Sequence, residues 1–167
     1  MEKLWSPWRS KYIESFKTDK DETKCIFCQM LNLNPNDTDN LLVDMGLYTI
    51  TVLNLYPYNN GHLMIVPKRH THDFSGLTND ELTESFVKLQ IAERALRKVL
   101  NPHGFNIGAN IGRVAGAGIE DHIHFHIVPR WNGDSNFMPV IGDVKIISQD
   151  LAETKSNLLK IYSSLSF

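Results

Sequence analysis

Three histidines recur at every second position in the apolar stretch HIHFHIVPRW, residues 122–131. Alternate side chains of an extended strand point to the same face, so we expect His122, His124 and His126 to form one row. The apolar residues between them would then face the core. Three interpretations fit such a row: histidines tolerated on a solvated face, a three-histidine metal site, or catalysis at a phosphate.

The third interpretation depends on the reactivity of imidazole. A neutral ring is a nucleophile for phosphorus, and the phosphoramidate that it forms is labile. A neighbouring histidine can orient the nucleophile or protonate a departing oxygen. Directly before the row, the segment GAGIED contains glycines whose main-chain N–H groups can approach a phosphate closely. The loop and the row together favour nucleophilic catalysis on a phosphate.

The only two cysteines, Cys25 and Cys28, are separated by two residues. In a reducing compartment this spacing indicates metal ligation or a redox pair before a structural disulfide, and two unconnected thiols are a further alternative. In a tetrahedral zinc site the cysteines would supply half of the ligands and histidines the rest. His70 and His72, which end the segment VPKRHTH, and His122 are candidates.

Sheet-like patterns surround these residues. The apolar stretches LLVDM, YTITVLN and HLMIVP are separated by turn formers and predict an antiparallel meander. Two further strands are predicted at FNIGAN and HIHFHIVP. The stretch from the first cysteine to the end of the histidine row therefore supplies the strands of one sheet.

Helical patterns occupy three other places. Between Thr78 and Leu100 the apolar residues follow helical spacing, with Thr78 as N-cap, Glu81 three residues later and Phe86 on the apolar face. The segment SQDLAETKSNLLKIYSSL predicts a C-terminal amphipathic helix, and residues 1–17 predict an N-terminal helix or arm.

These elements predict an α+β fold, in which an antiparallel sheet of about five strands is covered by a long central helix and by N- and C-terminal helices. No repeat or linker divides the 167 residues. We therefore expect a single domain spanning 1–167, with a core at about 24–131, an N-terminal arm at 1–23 and a C-terminal extension at 132–167.

Composition excludes several classes of protein. With 42% hydrophobic and 22% charged residues, the chain is typical of soluble globular proteins. A net charge of -2 lacks the basic excess that non-specific binding to nucleic acid or to an anionic membrane requires. The sequence has neither the apolar core of a signal peptide nor a run of about 18 apolar residues. We therefore expect a cytoplasmic protein without nucleic-acid or membrane partners.

The stretch HIHFHIV resembles the His-φ-His-φ-His-φ-φ signature of the histidine triad (HIT) superfamily, in which φ is apolar. NNGHLMIVPKRH is similar to the second hallmark segment of that family, and the resemblance covers most of residues 24–131. LNLYPYNNGHLM and VPRWNGDSNFMPVIGDVKIISQDLAET resemble the diadenosine tetraphosphate phosphorylase branch. This second resemblance separates that branch from the purine-nucleoside phosphoramidases.

The resemblance implies catalytic roles for three histidines. His124 matches the nucleophile that attacks the α-phosphate and holds a nucleotidyl-histidine intermediate. His126 matches the residue that contacts the phosphate and the leaving-group oxygen. His62 matches the histidine that supports this array from a neighbouring strand.

The resemblance also implies substrate-binding residues. Asn54, eight residues before His62, matches a ribose-binding Asn of fragile-histidine-triad-like enzymes, and Asn110 matches their phosphate-contacting Gln if one residue is inserted in the following loop. Ile119 stands where many members carry Ser or Thr, whose hydroxyl bonds the scissile phosphate. Either the main chain of Gly118 and Ile119 does this work, or the final acceptor differs from water. The phosphorylase-like branch also tends to lack this hydroxyl.

A metal site is implied as well. Several bacterial members and the related galactose-phosphate uridylyltransferases bind zinc through a Cys-x-x-Cys pair, a histidine ending the VPKRH-like segment and the first triad histidine. The corresponding ligands are Cys25, Cys28, His70 and His122, with His72 as an alternative. Four protein ligands would make the zinc structural. No redox cofactor is implied.

The implied function is nucleotidyl transfer through a covalent nucleotidyl-histidine, with cleavage of diadenosine polyphosphates. Phosphorolysis is favoured, in which inorganic phosphate yields ADP plus a nucleoside polyphosphate. A diadenosine polyphosphate hydrolase and a nucleoside phosphoramidase are alternatives, and a zinc-stabilised nucleotide-binding sensor is the alternative outside enzymes. Because related proteins pair through their long helix and extend the sheet, a homodimer is implied, although the helix predicted at 78–100 can equally serve as an intramolecular cover.

Overall fold

A computed structural model describes residues 25–134, 147 and 149–165. The strands are β1 (Leu42–Met45), β2 (Thr49–Leu53), β3 (Leu63–Pro67), β4 (Gly104–Gly108) and β5 (Phe125–Arg130). The helices are α1 (Ile26–Met30), α2 (Asn79–Leu100) and α3 (Leu151–Tyr162), and a 3-10 turn spans Arg113–Ala115. The helix or arm predicted at 1–17 lies outside the described residues.

The strands form one antiparallel sheet in the order β1-β2-β3-β5-β4. Helix α2 packs on β2, β3 and β5, while α3 packs on α2 and on β1. The predicted α+β fold, with five antiparallel strands, a long helix and a C-terminal helix, is confirmed. Its division into one domain with a core at about 24–131, an arm and an extension stays a prediction.

Helix α2 begins where the sequence predicts. The Thr78 hydroxyl accepts from the Glu81 N–H at 3.2 Å, and the Glu81 carboxylate accepts from the Thr78 N–H at 2.8 Å. This reciprocal capping satisfies two of the amides that a helix start leaves unpaired. One member of the predicted apolar face is wrong, because Phe86 is 58% exposed. Its ring touches only the margin of the core, at 6.3 Å from the centre of the Phe125 ring.

The histidine segment differs from the prediction of one continuous strand. Only His126 lies within β5, whereas His122 and His124 precede it. The main-chain carbonyl of His122 accepts from the ring of His124 at 2.8 Å, so this carbonyl is turned to a side chain instead of a neighbouring strand. The N–H of Ile123 donates to the carbonyl of Thr71 at 2.7 Å and attaches the segment to the chain beyond β3.

Alternation of the side chains still holds across the segment. Ile123, Phe125 and Ile127 are buried in the hydrophobic core, as expected. The histidines that alternate with them are 1%, 4% and 7% exposed in chain order, so they belong to a shielded site and not to a solvated face. None of the helices described here is long and apolar enough to cross a membrane.

Candidate functional site

Four predicted metal ligands meet at one end of the sheet. The ligand atoms of Cys25, Cys28, His70 and His122 all lie within 4.8 Å of one another. Helix α1 brings in the cysteines, the segment after β3 brings His70, and the segment before β5 brings His122. Residues separated by 97 positions in the chain are therefore joined at a single point. The alternative ligand His72 lies outside this group.

The distances between these atoms fit a tetrahedral zinc site. Nδ1 of His122 lies 3.2 Å from Sγ of Cys25 and 3.7 Å from Sγ of Cys28, and the two histidine Nδ1 atoms are 3.3 Å apart. Bonds of about 2.0–2.1 Å to nitrogen and 2.3 Å to sulfur give tetrahedral edges of roughly 3.3 Å between nitrogens and 3.6 Å between nitrogen and sulfur. The spacing of the donors therefore matches the ion.

Hydrogen bonding prepares His122 for this role. Its Nε2 lies 2.8 Å from the carbonyl of Pro67, and a carbonyl can only accept, so the hydrogen resides on Nε2 and Nδ1 keeps its lone pair for the cluster. Burial lowers the pKa of His122 and so favours the uncharged ring. A neutral imidazole beside a second histidine and two cysteines, which bind zinc as thiolates, is a suitable ligand set for the ion.

The tautomer of His124 is set by the same segment. Its Nδ1 donates to the carbonyl of His122 at 2.8 Å. The neutral ring therefore has no hydrogen on Nε2, and that nitrogen holds a lone pair. Burial lowers the pKa of His124, which keeps the ring uncharged near neutral pH. This is the protonation state that a nucleophile at phosphorus requires.

A chain of hydrogen bonds fixes the opposite tautomer in His126. The N–H of Tyr58 donates to Nδ1 of His62 at 3.0 Å, so the hydrogen of His62 resides on Nε2. That Nε2 lies 2.9 Å from Nδ1 of His126 and donates to it. The remaining hydrogen of His126 must therefore lie on its Nε2. His124 and His126 thus present an acceptor and a donor, respectively.

The donor at His126 is buried. Its Nε2 is shielded from solvent and has no hydrogen-bond partner among the residues described. Burial, reinforced by repulsion from His124, lowers the pKa of His126 to about 4. The ring centres of His124 and His126 are 4.9 Å apart. An oxygen atom held between the two rings would accept from the unpaired donor. A buried donor without a partner therefore indicates a polar ligand at this place, not an apolar one.

The strand register brings His62 to His126. Met64 pairs with His126 across β3 and β5, and His62 lies two residues before Met64, so it shares the same face of the sheet. The turn before His62 contains Gly61 at φ +73, where a Cβ would clash with the side chain of Leu100 and lie 2.9 Å from that of Leu96. Glycine is needed at this position because helix α2 leaves no room for a side chain.

Asn54 lies against the histidine that it precedes by eight residues. Its amide nitrogen is 3.2 Å from Nδ1 of His62, and its amide oxygen accepts from the N–H of Tyr56 at 2.9 Å. Its main-chain N–H also donates to the carbonyl of His62 at 2.9 Å. Asn54 and His62 therefore close the loop between β2 and β3 together.

The other predicted substrate contacts lie in the loop between β4 and β5. The Asn110 amide donates to the Tyr58 hydroxyl at 3.3 Å and lines a cavity of about 230 Å³ together with Ile119. Gly118 and Ile119 line a second cavity of about 440 Å³ that reaches Cys25. Neither lining includes His124. The structure therefore forms two groups of predicted site residues: the histidines with Asn54, and Asn110, Gly118 and Ile119 in the loop.

Two aromatic residues contact the site without having been predicted. The ring centre of Tyr58 is 4.7 Å from that of His62 and 5.7 Å from that of His126. That of Phe27, between the two cysteines, is 5.1 Å from the centre of His124. Both residues lie in stretches that the sequence singles out, but aromatic type alone does not indicate which ring a side chain will contact.

Comparisons with known proteins agree with this arrangement. The sequence matches the family model of the HIT domain over residues 35–133. It is 39% identical over 160 residues to an AP-4-A phosphorylase of Mycobacterium tuberculosis, a match that covers 93% of this chain and 81% of that protein. It is 29% identical over 110 residues to an asymmetrical bis(5'-nucleosyl)-tetraphosphatase of Schizosaccharomyces pombe, covering 66% of this chain and 57% of that protein.

A solved structure shares the fold. It is a histidine triad family protein of Mycobacterium smegmatis described as zinc-bound, with a TM-score of 0.66 and 24% identity. The match covers 84% of this chain and 94% of that one. The expectation of a HIT-family enzyme is confirmed by these relatives. With its histidine row, five-stranded sheet and a family match that covers more than half of its length, this chain belongs to the HIT domain family.

Proposed function

We propose that this protein cleaves diadenosine polyphosphates by transferring an adenylyl group through His124, with inorganic phosphate as the final acceptor. One observation carries the proposal. His124 holds a lone pair on Nε2, while the neighbouring His126 holds a buried, unpartnered N–H on Nε2. A nucleophile and a hydrogen-bond donor of complementary tautomers lie side by side.

In the first step, the lone pair on Nε2 of His124 attacks the α-phosphorus. The bond from phosphorus to the bridging oxygen breaks, and its electron pair leaves with the nucleoside polyphosphate. The Nε2–H of His126 donates a hydrogen bond to the departing oxygen and stabilises its growing charge. His124 keeps the hydrogen on Nδ1 and becomes a cationic adenylyl-imidazole, whose charge the carbonyl of His122 stabilises at 2.8 Å.

In the second step, an oxygen of inorganic phosphate attacks the adenylyl phosphorus. The phosphorus–nitrogen bond breaks, its electron pair returns to Nε2 of His124, and ADP is released. Two features support phosphate over water as acceptor. Ile119 supplies no hydroxyl where many family members have one, and the 39% identical relative from Mycobacterium tuberculosis is named a phosphorylase.

The substrate-binding residues have distinct proposed tasks. The main-chain amides of Gly118 and Ile119 contact the phosphates from the loop before the histidines. Asn110 contacts the same chain of phosphates from the cavity that it lines with Ile119. Asn54 is the ribose contact, and its 3.2 Å approach to His62 would link ribose binding to the orientation of the histidine pair.

Zinc is the proposed structural cofactor, held by Cys25, Cys28, His70 and His122. When bound, it crosslinks α1 to the segments that follow β3 and precede β5, and four protein ligands leave it no open position for chemistry. The support is the 3.2–3.7 Å spacing of the donor atoms. The cysteines form no disulfide, which fits the cytoplasmic location that the sequence predicts.

A homodimer is also proposed. Strand β4 ends the sheet, and among the described residues one of its edges has no pairing strand. An exposed edge strand is a template for pairing with another chain. Ile107 on β4 is 53% exposed, and Phe86 on α2 is 58% exposed. A second copy that pairs with β4 would bury these side chains and extend the sheet.

The decisive experiment is incubation with diadenosine tetraphosphate and isotopically labelled phosphate, followed by mass analysis of the products. We expect label in ADP, with ATP as the second product. Formation of AMP and ATP in excess phosphate would identify a hydrolase instead. His124→Ala should abolish cleavage while leaving nucleotide binding measurable. Unchanged cleavage by this variant would remove His124 as nucleophile, and binding without turnover by the wild type would favour the sensor.

A further inference from the structure

The aromatic residue between the two cysteines connects the metal cluster to the proposed nucleophile. Phe27 lies in α1 and is 1% exposed. Its ring contacts His122 edge-on, with centres 5.5 Å apart and planes at 84°, and it also contacts His124, with centres 5.1 Å apart and planes at 53°. One side chain therefore touches both a candidate metal ligand and its catalytic neighbour.

Three fixed groups surround the ring of His124. Its Nδ1 bonds to the carbonyl of His122 at 2.8 Å, His126 packs at 4.9 Å with planes at 74°, and Phe27 completes the enclosure. Rotation of a buried ring requires its packed neighbours to move. A half-turn about the Cβ–Cγ bond would put Cδ2 where Nδ1 lies and Cε1 where Nε2 lies. The bond to the carbonyl of His122 would then be lost, and the lone pair of Nε2 would point away from the phosphate.

The position of Phe27 depends in turn on the cysteines. Helix α1 has five residues, and a helix of one turn has little stability of its own. Its start has no side-chain cap. Cys25 is the N-cap residue of this short helix, and Cys28 lies at its middle. Their sulfur atoms, 3.2 Å and 3.7 Å from Nδ1 of His122, attach the start and the middle of the segment to the cluster.

We propose that Phe27 is a positioning residue that makes the orientation of His124 depend on the metal cluster, an inference that rests on the proposed roles of His124 and of the four ligands. The metal then does more than stabilise the fold. Loss of the ion by chelation loosens α1, withdraws Phe27 and lets the His124 ring reorient. The protein without zinc is therefore inactive, because Nε2 of His124 is not aligned with the phosphate.

Phe27 is also a core residue, so the test must separate orientation from packing. Phe27→Leu removes the ring and keeps an aliphatic side chain, and Phe27→Met serves if the first variant does not fold. The matched control is Met30→Val, because Met30 is 5% exposed on the same helix and belongs to the same core. Thermal unfolding and zinc content show that each variant is folded and loaded.

The main readout is the ¹⁵N spectrum of the histidine rings, with His124 assigned by its loss in His124→Ala. In zinc-loaded wild type we expect one tautomer, with the hydrogen on Nδ1. Loaded Phe27→Leu should show mixed tautomers at His124, as should wild type stripped of zinc by a chelator, whereas Met30→Val should match wild type. The kcat for diadenosine tetraphosphate should fall about tenfold or more in Phe27→Leu, with KM within about twofold.

A loaded Phe27→Leu protein with wild-type His124 signals and wild-type kcat would overturn the proposal. Equal disturbance of His124 in Met30→Val would also overturn it, because packing alone would then explain the effect. The ring spectrum needs no substrate. If the wild type cleaves no dinucleotide, the proposed function fails while the dependence of His124 on Phe27 is still measured.

Discussion

His62 and His126 share a hydrogen bond of 2.9 Å between Nε2 of the first and Nδ1 of the second, and a main-chain amide sets its direction. Because the N–H of Tyr58 occupies Nδ1 of His62, the donated hydrogen can come only from Nε2. His62 thus determines which nitrogen of His126 carries a hydrogen, although it is one residue removed from the strand that pairs with β5.

Substitution of His62 should therefore impair catalysis without removing the nucleophile. In His62→Ala, His126 can adopt either tautomer. We expect kcat to fall by about 10- to 100-fold, less than the roughly 10²- to 10⁴-fold of a direct acid or base, because His62 acts through His126. Steady-state cleavage of diadenosine tetraphosphate measures this effect. The control is His103→Ala, since His103 is exposed and accepts from the N–H of Asn132 away from the site. Equal kcat values in the two variants would contradict the proposed control of the His126 tautomer by His62.

Metal content distinguishes the two candidate histidine ligands. Cys28→Ser should lower bound zinc from about one ion per chain and reduce the melting temperature, because the ion stabilises only the folded state. His72→Ala should retain the ion, since His72 lies outside the four-ligand group. Elemental analysis of purified protein and thermal unfolding provide the two measurements. Zinc lost from His72→Ala, but not from His70→Ala, would reassign the ligand.

The side chain at position 119 should influence the choice of acceptor. Ile119→Ser introduces a hydroxyl beside the proposed phosphate site, where it can hydrogen-bond and orient a water molecule. We expect the ratio of AMP to ADP among the products to rise in the presence of phosphate. Val114→Ser, which adds a hydroxyl at a fully exposed position of the same loop, should leave the ratio unchanged. If the ratio of AMP to ADP were unaltered in both variants, the side chain at position 119 would have no influence on the choice between water and phosphate.

The ion pair between Arg69 and Glu81 predicts how stability depends on pH. The Arg69 guanidinium donates to both carboxylate oxygens at 2.8 Å, and this contact, with help from the Thr78 N–H, lowers the pKa of Glu81 from 4.5 to about 2. Since the folded pKa is below the unfolded one, the stabilisation is complete above about pH 4.5 and is lost as pH falls towards 2.

Glu81→Gln tests this prediction. Because Arg69 is half exposed and solvent screens the pair, we expect a cost of about 1 kcal/mol at pH 7, which shrinks on acidification to pH 3. Urea unfolding at the two pH values measures the difference from wild type. Glu93→Gln is the matched control, because its pair with Arg97 lies on an exposed helix face and should contribute below about 0.5 kcal/mol. A cost that grows on acidification would have the wrong sign.

Oligomeric state can be tested at the exposed aromatic residue of α2. Phe86→Glu places a charge where the proposed dimer buries a ring, and such a charge would be desolvated without a partner. Sedimentation velocity should show dimers for the wild type and monomers for the variant. Leu47→Glu, at a 73% exposed position beside the opposite edge of the sheet, should remain dimeric. A monomeric wild type at micromolar concentration would contradict the proposal.

Local signals predicted much of the fold. The Thr78 and Glu81 pair identified the start of α2, and the apolar runs identified every strand of the sheet, since capping and alternation are properties of neighbouring residues. Phe86 shows what helical spacing leaves open. The spacing indicates which face of α2 is apolar, but not how far the core extends under that face. The short helix α1 was not predicted, since its place depends on distant ligands.

The site could be predicted as a set of residues but not as a geometry. The four ligands and the histidine pair came from motif resemblance, and the structure brings them together. Charged residues in loops are mostly solvated, whereas Arg69 binds the carboxylate of Glu81 across 12 positions. The contact of Phe27 with His124 joins residues 97 apart in the chain, so no local pattern reports it.

The glycine in the turn before His62 has a consequence for engineering the reaction. Leu96 and Leu100 of α2 lie where a Cβ of Gly61 would be. These two leucines therefore determine how closely the loop before His62 approaches the helix. A shorter side chain at either position would let the loop move towards α2. Nε2 of His62, which donates to His126, would move with it. Leu96 is fully buried in the core, so shortening it also lowers the melting temperature. Leu100 is only partly buried, and it is therefore the better position on α2 from which to change turnover.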